Sequence, residues 1–414
     1  MFRRQLLGTA LATPALVMPA RVMPALVMPA LAAGGVSSAW SKEKPTPASV
    51  SLNETLRPYL DSHRLPALAA AVVRGGAMLA IGAVGTRRTG TQIEVTVKDR
   101  FHIGSDTKAM TALLAATFVE QGGLRWTSTV AEIFPDMTDA MNNDLRNVTL
   151  TQLLSHSSGI PSDNDAFGDL LLRSLAQDGL ILDELRAWLV REWRMQPLAS
   201  PPGTKFAYSN MGYTLAGAML ERVGRKSWEE LIVERVFTPL RLRSAGFGPQ
   251  SSLGRVDAPL GHRILDDGSL KPMLAGPAAD NPPVIGPAGV VHLSIVDFAA
   301  WAGWNAGEGR RPPRIVKPET LRKLHTKVID VPAGPDAPAG TPSRGGYALG
   351  WGVVSVPWAE ERLVTHAGSN TMNLAMAWLQ PSRDFAMVMA TNVGGAKANA
   401  ALKMLAEALY RRFG

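Results

Sequence analysis

The sequence predicts an α+β fold: an antiparallel sheet built from both ends of the chain, flanked by helices, with a mostly helical subdomain inserted at about 100–290. Three observations predict it. Short apolar runs of strand character lie at 67–84 and return at 352–391. Between them helical periodicity dominates, broken by Gly/Pro loops. Strands at the ends and helices in the middle fit one sheet closed by distant segments. With 414 residues, 46% hydrophobic and 19% charged, the chain can bury a large core, which excludes global disorder.

Residues 1–32 carry Arg3, Arg4 and Arg21 and no acid. The arginine pair precedes a long Ala/Leu/Val/Met stretch ending at Ala30-Leu31-Ala32, a small-x-small cleavage pattern. This reads as a secretory signal of the twin-arginine type. Three tandem proline-containing pentads and Arg21 interrupt the apolar run, and a retained membrane anchor is the alternative. Residues 33–49 are a Ser/Pro/Lys-rich linker, and 50–412 form the main domain. The expected location is periplasmic or secreted, with membrane contact only if the signal is retained.

In the main domain, 52–63 has helical spacing. Residues 67–73 and 78–84, joined by Arg74-Gly75-Gly76, read as a hairpin. An Ala/Leu/Met-rich helix covers 106–120, with Ser105 as its natural N-cap. Further helices are expected at 182–192, 213–223, 228–236, 294–304 and 318–325. Residues 333–346 are Pro/Gly-rich and read as a loop. Strands follow at 352–356, 363–366, 374–379 and 385–391, the last two joined by Gln380-Pro381-Ser382-Arg383-Asp384. An amphipathic helix at 398–413 closes the chain.

Several chemistries are excluded. There is no cysteine, so disulfides, thiolate metal sites and cysteine nucleophiles are ruled out. The net charge of +8 comes without a basic block, so no nucleic-acid partner is expected. The seven histidines are scattered with no His-Glu-x-x-His, and no Gly-x-Ser-x-Gly, Walker A or dinucleotide fingerprint occurs. No metal and no cofactor are expected; the partner is a small-molecule or peptide substrate.

Three short motifs carry chemistry. In Ser105-Asp106-Thr107-Lys108 one helical turn separates hydroxyl from amine, so both lie on one face. A partly buried lysine can take the serine proton, because desolvation lowers its pKa. A second Ser-x-x-Lys, Ser41 to Lys44, falls in the linker. Tyr208-Ser209-Asn210 presents a phenol and an amide from one loop; the phenol can shuttle protons if a nearby ammonium lowers its pKa. His366-Ala367-Gly368-Ser369 ends a strand, where small residues let a substrate backbone lie alongside. The Ser105 and Ser369 N–H groups together can form an oxyanion hole. Each motif alone has a structural alternative: an N-cap serine, a solvated lysine, a packed tyrosine, a satisfied histidine. Trp351 and Trp378, near the third motif, are pocket candidates.

Taken together, order and spacing resemble the serine β-lactamase and penicillin-binding protein superfamily, on the branch of class C β-lactamases, DD-carboxypeptidases with His-x-Gly and family VIII esterases. Leu153-Leu154-Ser155-His156-Ser157-Ser158-Gly159-Ile160-Pro161, residues 202–213, Pro287-Ala288-Gly289-Val290 and residues 347–352 extend the similarity over about 50–412. The resemblance implies that Ser105 is the acylated nucleophile and that Lys108 and Tyr208 form the acid/base set. It implies that Asn210 contacts the substrate amide and Lys108, and that His366, Gly368 and Ser369 bind substrate. His366 replaces the lysine of Lys-Thr-Gly, so efficient β-lactam hydrolysis is not expected. His156 is read as structural. The implied activity is acyl-enzyme hydrolysis of an amide or ester, DD-peptidase-like or esterase-like. A penicillin-binding receptor without turnover, or a true β-lactamase, is the alternative.

Overall fold

The computed structural model describes residues 49–332 and 345–414. The expected leader at 1–32, the linker up to 48 and residues 333–344 of the expected loop lie outside the described residues.

The strands, in chain order, are β1 Val50–Ser51, β2 Ala67–Arg74, β3 Ala77–Gly85, β4 Arg100–His102, β5 Gly246–Phe247, β6 Gly261–Ile264, β7 Leu270–Met273, β8 Val291–Ser294, β9 Ile329–Val331, β10 Gly345–Tyr347, β11 Gly352–Val354, β12 Leu363–Ser369, β13 Leu374–Gln380 and β14 Phe385–Thr391. Nine form the main sheet in the order β1-β3-β2-β14-β13-β12-β11-β10-β9. Every neighbouring pair is antiparallel except β1 with β3. β2 pairs with β14 along its length, from Leu68 opposite Thr391 to Arg74 opposite Phe385. The sheet is therefore closed by the two ends of the chain, as expected.

Both faces of the central strands are buried, which explains their continuous apolar runs. Ala69, Ala71 and Val73 of β2 face the core shared with the helical body, while Leu68, Ala70 and Val72 face the core under the N- and C-terminal helices. β14 divides the same way, with Ala386, Val388 and Ala390 on the first face and Phe385, Met387 and Met389 on the second. Small side chains on the first face admit a close helix: a Cβ added at Gly303 of the Ile295–Ala306 helix would meet Val73 Cγ1 at 2.7 Å. The Asn53–His63 and Gly395–Phe413 helices contribute Leu56, Leu60, Leu402, Leu405 and Leu409 to the second core.

The structure corrects some local expectations. The 100–290 segment is not only helical, since β4 and β8 with β5 form a three-stranded sheet and β6 with β7 a hairpin. These strands have two to four residues, too short to show a period of two. Gly345 and Gly346, expected in a loop, lie in β10, which pairs with β9 and β11. Ser105 is not the N-cap of its helix but sits in a 3₁₀ turn, Gly104–Asp106, before the Thr107–Glu120 helix. Trp351 is fully buried and stacks on Trp301, so it is a core residue rather than a pocket wall, while Trp378 is partly buried and packs on Trp358 against the second core. Among the described residues no helix is long and apolar enough to cross a membrane.

Candidate active site

The first motif leads into a helix buried along nearly its whole length. The residues of Thr107–Glu120 are apolar on nearly all sides, as a central helix requires. From Phe101 to Phe118 every residue is buried except Ser105. The serine is thus the single place where this segment reaches the surface. Its hydroxyl makes no capping bond and lies 2.9 Å from Lys108 Nζ.

Lys108 is fully buried. Its Nζ also donates to Asn210 Oδ1 at 2.7 Å and to the Ala288 carbonyl at 2.7 Å. Burial lowers its pKa to about 7, against the opposing pull of Asp163 and Asp106. Near neutral pH much of the amine is therefore uncharged. Asn210 Oδ1 and the Ala288 oxygen can only accept, so they occupy both N–H bonds of the neutral amine. Its lone pair is left directed at the Ser105 hydroxyl. The lysine is oriented as a base toward one proton.

Tyr208 lies beside this pair, with Lys108 Nζ 4.8 Å from its ring centroid. Its Oη has no hydrogen-bond partner among the described residues. Burial pushes the phenol well above its ordinary value, and proximity to the Ser105 hydroxyl offsets only part of the rise. The expected lowering by an ammonium does not occur: desolvation dominates, the nearby Asp163 and Asp106 also raise the value, and the phenol stays protonated. His156 holds the Tyr208 loop in place. Its carbonyl accepts from the Ala207 N–H at 2.8 Å and its Nδ1 from the Ser209 N–H at 3.1 Å. Its ring packs 4.2 Å from that of Tyr208, and burial drives its pKa well down. The structural reading of His156 thus acquires a specific content.

Asn210 opens the Asn210–Gly224 helix, which Ser209 caps by accepting from the Gly212 N–H. Its amide is used at both ends: Oδ1 accepts from Lys108, and Nδ2 donates to Asp163 Oδ2 at 2.6 Å. A substrate acceptor would have to compete with that carboxylate.

The third motif runs along β12 against the Ser105 turn. A Cβ on Gly368 would fall 1.9 Å from the Ile103 oxygen and 2.3 Å from Ser105 N. The glycine is required by the close approach of the Ser105 turn rather than by a passing substrate. Gly104, at φ +50°, meets the strand from the other side, where its added Cβ would lie 2.4 Å from Ser369 N. The two backbone nitrogens thus flank one crossing. Ser369 Oγ is spent locally, donating to the Asn373 oxygen and accepting from Thr371 N. His366 is buried, its Nε2 2.9 Å from Tyr347 Oη. Burial and the nearby Lys108 lower its pKa to about 3, so it carries no charge at neutral pH.

Sequence reasoning missed Asp106, Asp163, Asp280, His102 and Asn370. Asp106 stood inside the first motif; its carboxyl is buried without a hydrogen-bond partner among the described residues, and desolvation raises its pKa well above normal. The Ser162-Asp163-Asn164 loop carried a visible acid signal. The other three have no local signal.

Across the fold, a family model described as beta-lactamase matches residues 52–410. The chain belongs to the beta-lactamase family. Penicillin-binding protein 4 of Amycolatopsis lactamdurans is 30% identical over 250 residues, 60% of this chain and 62% of that protein. Protein flp of Staphylococcus aureus strain MW2 is 24% identical over 81% of this chain and 61% of its own. The chain therefore spans about three fifths of the length of these curated relatives. Among solved structures, the octameric penicillin-binding protein homologue from Pyrococcus abyssi is similar with a TM-score of 0.68 and 25% identity, covering 86% of this chain and 76% of that one. The resemblance read from the motifs holds, and so does the α+β fold of this family.

Proposed function

We propose that this beta-lactamase family member is an exported serine hydrolase that forms an acyl-enzyme on a neutral ester or amide. The observation that carries the reading is the contact set of Lys108 Nζ: two acceptor-only partners and the Ser105 hydroxyl.

Lys108 takes the Ser105 proton as Oγ bonds to the substrate carbonyl carbon. The carbonyl oxygen becomes an oxyanion between the Ser105 and Ser369 N–H groups. As the intermediate collapses, the C–O or C–N bond breaks and the leaving group takes a proton from Tyr208, which recovers one from Lys108. A protonated phenol suits this donor role. Water then attacks the acyl-enzyme, giving its proton back through the same pair, and the acid departs.

A neutral His366 favours uncharged substrates over β-lactams, because a substrate carboxylate gains no cation from the third motif. This supports the ester or amide reading over a β-lactamase. Arg3-Arg4 and Ala30-Leu31-Ala32 support export.

The test follows hydrolysis of a short-chain p-nitrophenyl ester and, separately, intact mass after benzylpenicillin, each with Ser105→Ala alongside. Repeated ester turnover lost in Ser105→Ala, with penicillin left intact, is expected. A lasting penicillin adduct without ester turnover would favour a receptor, and consumed penicillin a β-lactamase. Turnover retained by Ser105→Ala would overturn the reading.

A further inference from the structure

A buried polar network ties the two sides of the oxyanion crossing together, and its hub is Asp280. The His102 Nδ1 accepts the Gly104 N–H at 3.0 Å. That bond leaves the imidazole proton on Nε2, which faces Asp280 at 2.9 Å from Oδ1 and 3.1 Å from Oδ2. His102 is fully buried and the Asp280 side chain is only 4% exposed. Asp280 Oδ1 also accepts from Asn370 Nδ2 at 3.0 Å and from the Asn281 N–H at 2.7 Å. Asn370 directly follows Ser369. Its Oδ1 accepts from Asn373 Nδ2 at 3.0 Å, and Asn373 Oδ1 accepts from Gln250 Nε2 at 2.7 Å.

One carboxylate therefore grips three segments. Through His102 it holds Gly104, the residue before Ser105. Through Asn370 it holds the residue after Ser369. Through Asn281, whose Nδ2 donates to the Gly289 oxygen at 2.8 Å, it braces the loop whose Ala288 carbonyl accepts from Lys108. The neighbouring cavity of about 580 Å³ touches Asp280 and Asn281 but is lined by none of Ser105, Lys108 and Tyr208. The network thus acts on the crossing, not on that cavity.

We propose that Asp280 is a positioning residue for this reaction: through His102 and Asn370 it sets the separation and aim of the Ser105 and Ser369 N–H groups that receive the oxyanion. The proposal rests on Ser105 being the nucleophile. Transition-state stabilisation by fixed donors falls steeply once they are displaced; deleting one donor outright costs about 10²- to 10³-fold. Loosening two donors without deleting either should cost about 10- to 100-fold.

The test compares Asp280→Asn, Asp280→Ala and Asn370→Ala with the wild type on an oxygen ester and its thiono analogue. Sulfur is a weak hydrogen-bond acceptor, so the thiono reaction draws little on the two N–H groups. Expected is an oxygen-ester kcat lowered about 10- to 100-fold with KM nearly unchanged, and a smaller loss on the thionoester, so that the oxygen-to-sulfur rate ratio falls. Asp280→Asn should lose less than Asp280→Ala, because its oxygen can still accept from Asn370 and Asn281 while its amide brings a donor only against His102 Nε2. Equal losses on both substrates, or no loss in a folded variant, would overturn the proposal. If the Asp280 variants fail to fold, Asn370→Ala decides, since it leaves the His102–Asp280 pair intact. Ser105→Ala run in parallel separates the two ideas: residual turnover there removes the nucleophile assignment itself, whatever the rate ratios.

Discussion

Removing the Asp163 charge should move the acid limb of the pH–rate profile downward. The active form of Lys108 is the neutral amine, so kcat/KM should rise as pH passes through the lysine pKa of about 7. Asp163 reaches Lys108 through one amide: its Oδ2 accepts from Asn210 Nδ2, and Asn210 Oδ1 accepts from Nζ. A carboxylate there stabilises the ammonium and holds the pKa up. At roughly 7 Å and an effective dielectric of about 20 the attraction is about 2 kcal/mol, and solvent at the exposed Asp163 reduces it to about 1. Asp163→Asn should therefore carry the limb down by somewhat under about one pH unit. It should also raise kcat/KM at about pH 6, where more of the amine becomes neutral. The assay is kcat/KM for a neutral ester from about pH 5 to 9, with product detected independently of pH. A limb that stays in place or moves upward would refute Lys108 as the titrating base coupled to Asp163.

Other consequences are separable from this one. Gly368→Ala should abolish ester turnover, because its Cβ would overlap the Ile103 oxygen and Ser105 N. A cost of about 1–3 kcal/mol should appear in urea unfolding; wild-type kinetics would contradict the packing. Arg186 is fully buried between Glu221 and Glu229, at 2.7 and 2.5 Å. Arg186→Met strands two carboxylates and should cost about 3–5 kcal/mol of stability, measured by denaturant titration. Asp106 has a folded pKa raised by burial, so its stability contribution is present at low pH and lost as pH rises through the raised value. Asp106→Asn should thus show a shallower fall in melting temperature as pH rises above the ordinary carboxylate range; melting curves parallel to the wild type's would contradict the raised pKa. His156→Ala removes the acceptor of the Ser209 N–H and the ring under Tyr208. A kcat drop of about tenfold with little change in KM is expected from stopped-flow acylation, and an unchanged kcat would count against its positioning role.

Much of this molecule is readable along the chain, because periodicity and local spacing are short-range properties. β2 with β3, the β13–β14 hairpin and the terminal helix appear as apolar runs of the right period. Ser105 and Lys108 lie one turn apart, so their pairing follows from helix geometry alone. The short strands β4 to β8 escape because two to four residues cannot display a pattern. The conformation of Ser105 escapes too: a serine before a helix reads as a cap, yet its hydroxyl is drawn to the lysine.

The residue types able to do acyl transfer were thus settled by local sequence, along with the order in which they occur. Which of them are charged was not. Lys108 meets acceptors 102 and 180 positions away, and His366 is neutral because folding buries it beside Tyr347. The Asp280 network joins residues 90 and 178 apart. Desolvation and long-range hydrogen bonding exist only once distant segments pack, so the surroundings of Lys108, the protonation of Tyr208 and the Asp280 network between the Ser105 and Ser369 segments are properties of the folded chain.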